Sequence, residues 1–94
     1  MTQSRAAKNI SEANRISVEL LITDARTAIT LLDLAETSSI PEHRSRQIRE
    51  AHHAYETIVI FLARLAPSPE QMEVLNRAID TLKKRLKVAG TPVD

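Results

Sequence analysis

The stretch Ser17–Glu36 constrains the fold most, because it contains neither glycine nor proline and carries aliphatic residues on two opposite sides. A run of this length and spacing predicts the middle of a long helix. One stripe has the alternating four- and three-residue spacing of a seam that faces a partner helix, and the other lies roughly opposite it. The first stripe consists of Asn14, Val18, Leu21, Ala25, Ala28, Leu32 and Ala35; the second consists of Ile16, Leu20, Leu31 and Leu34, with Ala13 and Thr27 in its gaps.

Cap and turn residues divide the rest of the chain into further helices. Helix 1 is expected over about residues 10–37, because Asn9 has a glutamate three positions later and so fits a capping box. Helix 2 is expected over about residues 40–66. Its predicted start is a second capping box at Ser39, and its predicted end is Pro67, since the residue before a proline avoids helical geometry.

Helix 3 is expected over about residues 69–89 and has the clearest boundaries in the sequence. Ser68 is the predicted N-cap, with a proline at the first helical position and Gln71 as the reciprocal partner of a capping box. Gly90 fits a left-handed C-terminal cap, and Pro92 prevents the helix from continuing.

Short connections between long helices make neighbouring helices antiparallel. We therefore predict an all-α domain, an up-down-up antiparallel three-helix bundle. A chain of 94 residues suits a single domain over residues 1–94. Residues 1–8 and 91–94 are expected to be flexible tails.

Composition excludes several classes of chemistry. The chain has one glycine and no cysteine, so it contains no glycine-rich phosphate loop, disulfide or thiolate site. The net charge of +1 provides no global field for nucleic acid or for an anionic membrane. The most apolar window, Ile58–Ala66, has about half the length of a membrane span. We expect a cytoplasmic protein without a membrane segment or a cofactor.

The second stripe of helix 1 is surplus to a three-helix bundle, in which each helix needs one apolar arc. An exposed line of large aliphatic side chains usually marks an interface, and two-fold dimers are the commonest oligomers. The alternative is that the second stripe is the core and the first faces outward. The predicted homodimer interface comprises Ile16, Leu20, Thr27, Leu31 and Leu34.

A second apolar feature occurs near the end of helix 2, where Ile60 and Phe61 depart from the seam pattern. An exposed phenylalanine beside exposed aliphatic residues is a plausible anchor for a helix of a partner protein. The same patch can alternatively complete the homodimer.

Basic residues of helices 2 and 3 form a candidate, weakly basic surface for nucleic acid. Leu82 and Leu86 run through the C-terminal basic tract as core positions, so its charges should splay around the helix. No aromatic residue interleaves the tract for base stacking. The candidate nucleic-acid residues are Arg46, Arg49, Lys83, Lys84, Arg85 and Lys87.

Histidines on helix 2 provide the third candidate site. His52 and Glu56 are four residues apart and can share one helix face, and His53 is adjacent, so a metal- or phosphate-binding site is conceivable. A zinc site normally needs three or four protein ligands, and a surface ion pair between His52 and Glu56 is the simpler interpretation. Tight turns leave little loop length for a cleft, so we expect no enzymatic activity.

These observations predict a small helical interaction or scaffold module that acts as a homodimer and has no chemistry of its own. The alternatives are a regulatory nucleic-acid-associated protein that uses the basic face and, more weakly, a histidine site on helix 2. Helix-on-helix contact is the expected mode of binding in the first case.

Overall fold

The computed structural model describes the backbone of residues 5–93 and the side chains of residues 13–93. It contains three helices: α1 (Arg5–Thr37), α2 (Pro41–Leu62) and α3 (Pro69–Val88). Within the described part of the chain there is no strand, and the helices pack against one another as an all-α three-helix bundle. The predicted fold class is therefore confirmed.

Two helix boundaries differ from the predicted ones. α1 is already helical at Arg5, so Asn9 lies inside the helix and is not its N-cap; the side chain of Asn9 lies outside the described residues. α2 ends at Leu62 rather than near residue 66. The hydrogen bonding changes from the α-helical to the 3₁₀ pattern there. The N–H groups of Arg64 and Leu65 bond to carbonyls three residues back, at 2.9 and 3.2 Å.

α1 is the central helix, and the first stripe is the one that faces the core. The alanines Ala25 and Ala28 are fully buried, and residues this small let neighbouring helices approach closely. The alternative, with the second stripe as core, is thereby excluded. The buried core consists of Val18, Leu21, Ala25, Ala28, Leu32 and Ala35 from α1, Ala51, Tyr55 and Ile58 from α2, and Leu75, Leu82 and Leu86 from α3.

Two polar contacts show the direction of the helices. The Asn14 side chain donates to the carbonyl of Ala66 at 2.9 Å and accepts from its N–H at 3.0 Å, so the α2–α3 connection lies beside the first half of α1. Arg85 lies near the end of α3. Its Nη2 atom is 2.7 Å from Asp33 Oδ1 and 3.1 Å from Glu36 Oε1, both near the end of α1. α3 therefore runs parallel to α1, and α2 runs antiparallel to both.

The start of α2 differs from the predicted capping box at Ser39. The N-cap is Ile40, which makes no side-chain cap, so that prediction is wrong. Ser38 stabilises the turn instead: its hydroxyl oxygen accepts the Ile40 N–H at 3.3 Å, and its carbonyl accepts from Arg44 at 2.8 Å. Pro41 occupies the first helical position, where its missing N–H leaves no hydrogen bond unmade.

The start of α3 is as predicted. Ser68 accepts the Gln71 N–H at 3.1 Å, and the Gln71 side chain accepts the Ser68 N–H at 3.1 Å, which completes a capping box. The Gln71 amide also donates to the Arg15 carbonyl at 3.4 Å. The capping box thus joins the beginning of α3 to α1 as well as starting the helix.

The end of α3 turns the chain back towards the bundle. Gly90 has a positive φ of 88°, and the N–H groups of Gly90 and Thr91 bond to the carbonyls of Lys87 and Leu86 at 3.0 and 2.9 Å, which is a Schellman motif. Val93 is partly buried and packs against the core. The segment after α3, expected to be a tail, thus contributes one side chain to the packing.

Candidate association surface on α1

The outer face of α1 carries large aliphatic side chains that no other part of the bundle covers fully. Ile16 is 46% exposed, Leu20 58% and Leu34 50%. Thr27 is exposed on the same line. The structure therefore brings four of the five predicted interface residues onto one exposed face, opposite the core.

Leu31 is the exception among the five. It is partly buried and packs against the core cluster. Its position on α1 explains this, since at about 100° per residue it lies some 60° round the helix from the Ile16–Leu34 line, towards the buried stripe. Leu31 therefore borders the outer face and contributes less surface to it than the sequence pattern suggested.

Threonines fill the spaces between the exposed aliphatic residues. The hydroxyls of Thr23 and Thr30 each donate to a carbonyl four residues back in α1, both at 3.1 Å, and Thr37 bonds in the same way to Asp33 at 3.4 Å. A hydroxyl bonded to its own helix leaves the methyl group as the part available for packing. We call the set Ile16, Leu20, Thr23, Thr27, Thr30, Leu34 and Thr37 the outer seam.

The sequence interpretation included Thr27 but missed the other three threonines of the outer seam, because they are polar residues. The signal was present in their spacing: Thr23, Thr30 and Thr37 recur every seven residues, four positions before or three positions after a residue of the Leu20, Thr27, Leu34 series. Charged residues follow one flank of the seam at the same interval. They are Glu19, Arg26 and Asp33, all exposed.

Ile60 and Phe61 are both about half-exposed, as the sequence pattern indicated. They do not form one patch, because consecutive helical residues diverge by about 100°. Ile60 borders a groove whose other wall includes Val93, whereas the Phe61 ring lies under the Arg64 guanidinium, 5.9 Å from its centroid. A partner helix cannot use the two side chains as a single anchor without contacting a wide arc of α2.

The basic tract of α3 does not converge on one surface. Arg85 is bound to Asp33 and Glu36 of α1, and the hydrogen bond with Asp33 raises the pKa of its guanidinium, so its charge is balanced within the chain. Lys83, two residues earlier, projects about 200° away around α3. Arg46 and Arg49 of α2 and Lys84 and Lys87 of α3 are exposed.

His52 pairs with Glu56 rather than with the neighbouring His53. His52 Nδ1 lies 3.6 Å from Glu56 Oε1, and His53 is exposed on the neighbouring face. Among the described residues, no group of three or more His, Cys, Asp or Glu side chains is placed to hold a metal ion. The surface-pair interpretation of His52 and Glu56 therefore describes the geometry observed.

A cavity of about 380 Å³ lies where the ends of α1 and α3 meet the start of α2. Its walls include Leu32, Ile48 and Val88, and its rim carries Arg44 and Arg85. Both guanidinium groups already bond to protein oxygens. Glu36 also lines the cavity, which thus combines an apolar floor with a charged rim.

Comparisons with protein-family models, with curated proteins and with solved structures find no significant match. Within residues 5–93, none of the helices combines the length and the apolar character that a membrane crossing requires.

Proposed function

We propose that this protein is a small interaction module that forms a homodimer through the outer seam of α1 and has no chemistry of its own. The observation that carries the proposal is the half-exposure of Ile16, Leu20 and Leu34 on one line of a helix whose opposite face already fills the core. We place its action in the cytoplasm, consistent with a chain that contains no cysteine.

The energy available from this surface is comparable to the cost of association. Full burial of one such aliphatic side chain is worth about 1.5–3 kcal/mol, so covering a half-exposed one yields roughly half of that. A two-fold interface buries the same residues from both subunits and doubles the sum. Loss of translational and rotational freedom consumes several kcal/mol, so we expect a dimer of modest affinity.

Light scattering coupled to size-exclusion chromatography tests the proposal. The chain is expected to have the mass of a dimer at tens of micromolar. The double variant Leu20→Glu/Leu34→Glu should have the mass of a monomer and keep its helical circular dichroism, because it places charges on an outer face that the core does not use.

Val88→Glu is the matched control, since Val88 is 86% exposed and lies on α3, away from the outer seam. This variant should remain dimeric. A wild-type chain that is monomeric at tens of micromolar overturns the proposal. So does a Leu20→Glu/Leu34→Glu variant that stays dimeric.

A further inference from the structure

We propose, on the basis of the homodimer above, that the second copy also covers the flank of α2 that carries Phe61, so that Phe61 anchors the dimer interface and Ile60 does not. The occupant of this surface is a second copy of this chain. The proposal rests on the size of the outer seam, on the side of α2 where Phe61 lies, and on its level along α1.

The outer seam by itself offers a small contact area. Its three half-exposed aliphatic side chains, Ile16, Leu20 and Leu34, present on the order of 100–200 Å² of apolar surface. A stable and specific interface covers about 800 Å² on each partner, and more than half of that area is apolar. Apolar surface beside the seam therefore decides how tightly two copies bind.

The ion pairs of Arg85 show which side of α1 borders which helix. Asp33 and Glu36, which Arg85 of α3 binds, lie on one side of the buried stripe of α1. Leu20 lies on the other side, about 110° from the middle of the stripe. Leu31 lies on that side too and is partly buried against the core. Since α3 occupies the first side, the Leu20 side borders α2.

The groove beside the C-terminal segment distinguishes the two sides of α2 in the same way. Val59 lines this groove together with Pro92 and Val93, which follow α3, so the Val59 side of α2 borders α3. Phe61 lies about 160° from Val59 around α2, at the other edge of the buried stripe. The Phe61 side therefore borders α1, and Phe61 and Leu20 face the same outer groove between α1 and α2.

Phe61 and Leu20 also lie at the same level along the bundle. The Asn14 side chain bonds to the backbone of Ala66 at 2.9 and 3.0 Å, so these two residues are opposite each other. α1 and α2 run antiparallel, and each rises about 1.5 Å per residue. Counting from this contact, and from the short α1–α2 connection at the other end, places Phe61 within about one turn of Leu20.

Phe61 is the larger apolar group beside the seam. It is 48% exposed, although the Arg64 guanidinium lies over its ring, 5.9 Å from the centroid. An aromatic side chain buries about 150–250 Å², and aromatic residues often dominate the binding energy of an interface. Ile60 is 56% exposed but lies about 170° from the middle of the buried stripe of α2, so a copy that docks on α1 does not reach it.

Single-tryptophan variants test the proposal, because the chain contains no native tryptophan. The emission of Phe61→Trp should shift to shorter wavelengths as the concentration rises to tens of micromolar, since the second copy removes water from the ring. This shift should have the same concentration dependence as the mass measured by light scattering. Ile60→Trp is the matched control, and its emission should not depend on concentration.

Truncation of the same two residues measures the effect on affinity. Phe61→Ala should weaken self-association about tenfold or more, because a two-fold interface loses both rings. Ile60→Ala should leave the dissociation constant within about twofold of the wild-type value. Analytical ultracentrifugation gives the two constants, and helical circular dichroism checks that both variants are folded.

Failure of this inference can be distinguished from failure of the homodimer. If Phe61→Ala keeps the wild-type affinity, or if the Phe61→Trp emission stays constant while the chain dimerises, the interface does not include this side of α2. Equal effects at Phe61 and Ile60 also overturn the inference, because they assign the contact to no particular side of α2. These outcomes leave the homodimer standing. A wild-type chain that is monomeric by light scattering overturns both.

Discussion

Leu32 and Leu34 are two residues apart on α1, yet Leu32 is 3% exposed in the core and Leu34 is 50% exposed on the outer face. The two faces have similar aliphatic residues at helical spacing, so hydrophobicity alone does not decide which one is buried. The residues between the leucines differ. The inner face combines large residues with alanine, whereas the outer seam combines them with threonine.

This difference in spacer residues explains the choice of core. Ala25 and Ala28 are fully buried, so α2 and α3 can approach the α1 backbone closely. A threonine at those positions would add a γ-carbon and a hydroxyl to a closely packed region. The outer seam, with its larger threonine spacers, suits a looser and reversible contact with another helix.

The largest expected effect separates the two faces directly. Leu32→Ala should lower the free energy of unfolding by about 2–5 kcal/mol, because it removes buried methyl groups and leaves a cavity. Leu34→Ala should change it by no more than about 0.5 kcal/mol when the chain is dilute enough to be monomeric. Urea denaturation of both variants checks this. Equal losses would show that the outer face supports the fold of the single chain.

A smaller effect is expected at the polar end of the inner face. Asn14→Ala removes both hydrogen bonds to the Ala66 backbone and should cost about 1–2 kcal/mol of unfolding free energy, at roughly 0.5–1.5 kcal/mol per bond. The matched control is Asn76→Ala on exposed α3 surface, which makes the same change in helix propensity. If thermal unfolding shows equal shifts for the two variants, the Asn14 contact is not holding the α2–α3 connection.

The smallest effect compares the starts of α2 and α3. Ser68→Ala removes the hydroxyl that accepts the Gln71 N–H and should cost about 1 kcal/mol. Ser39→Ala should be nearly neutral, because no side chain caps the start of α2. Chemical denaturation of the two variants is the check. A loss at Ser39 as large as that at Ser68 would contradict the observed caps.

The fold was predictable to the extent that its signals are local. The capping box of Ser68 and Gln71 and the left-handed Gly90 depend on residues within a turn of one another, and both predictions are confirmed. The capping box at Ser39 was wrong, because the same spacing competes with the Ser38 turn, which Arg44 completes from the next turn of α2.

The candidate surface was predictable in part. Sequence spacing identified Ile16, Leu20 and Leu34 as one face, but it left open whether that face or its opposite forms the core. It also counted Leu31 as part of that face, although at about 100° per residue Leu31 lies some 60° nearer the buried stripe than Ile16 and Leu34. The Arg85 contact with Asp33 and Glu36 joins residues about fifty positions apart, so no local sequence pattern predicts it.

The sequence by itself determined that this chain forms three helices, where α3 begins and ends, and which residues of α1 share a side. Only the tertiary structure decided which side is interior, because that choice depends on how closely α2 and α3 can approach the alanines of α1. Periodicity reports the direction of a side chain from its own helix axis. Burial depends on what other segments place there, and that information is distributed over the whole chain.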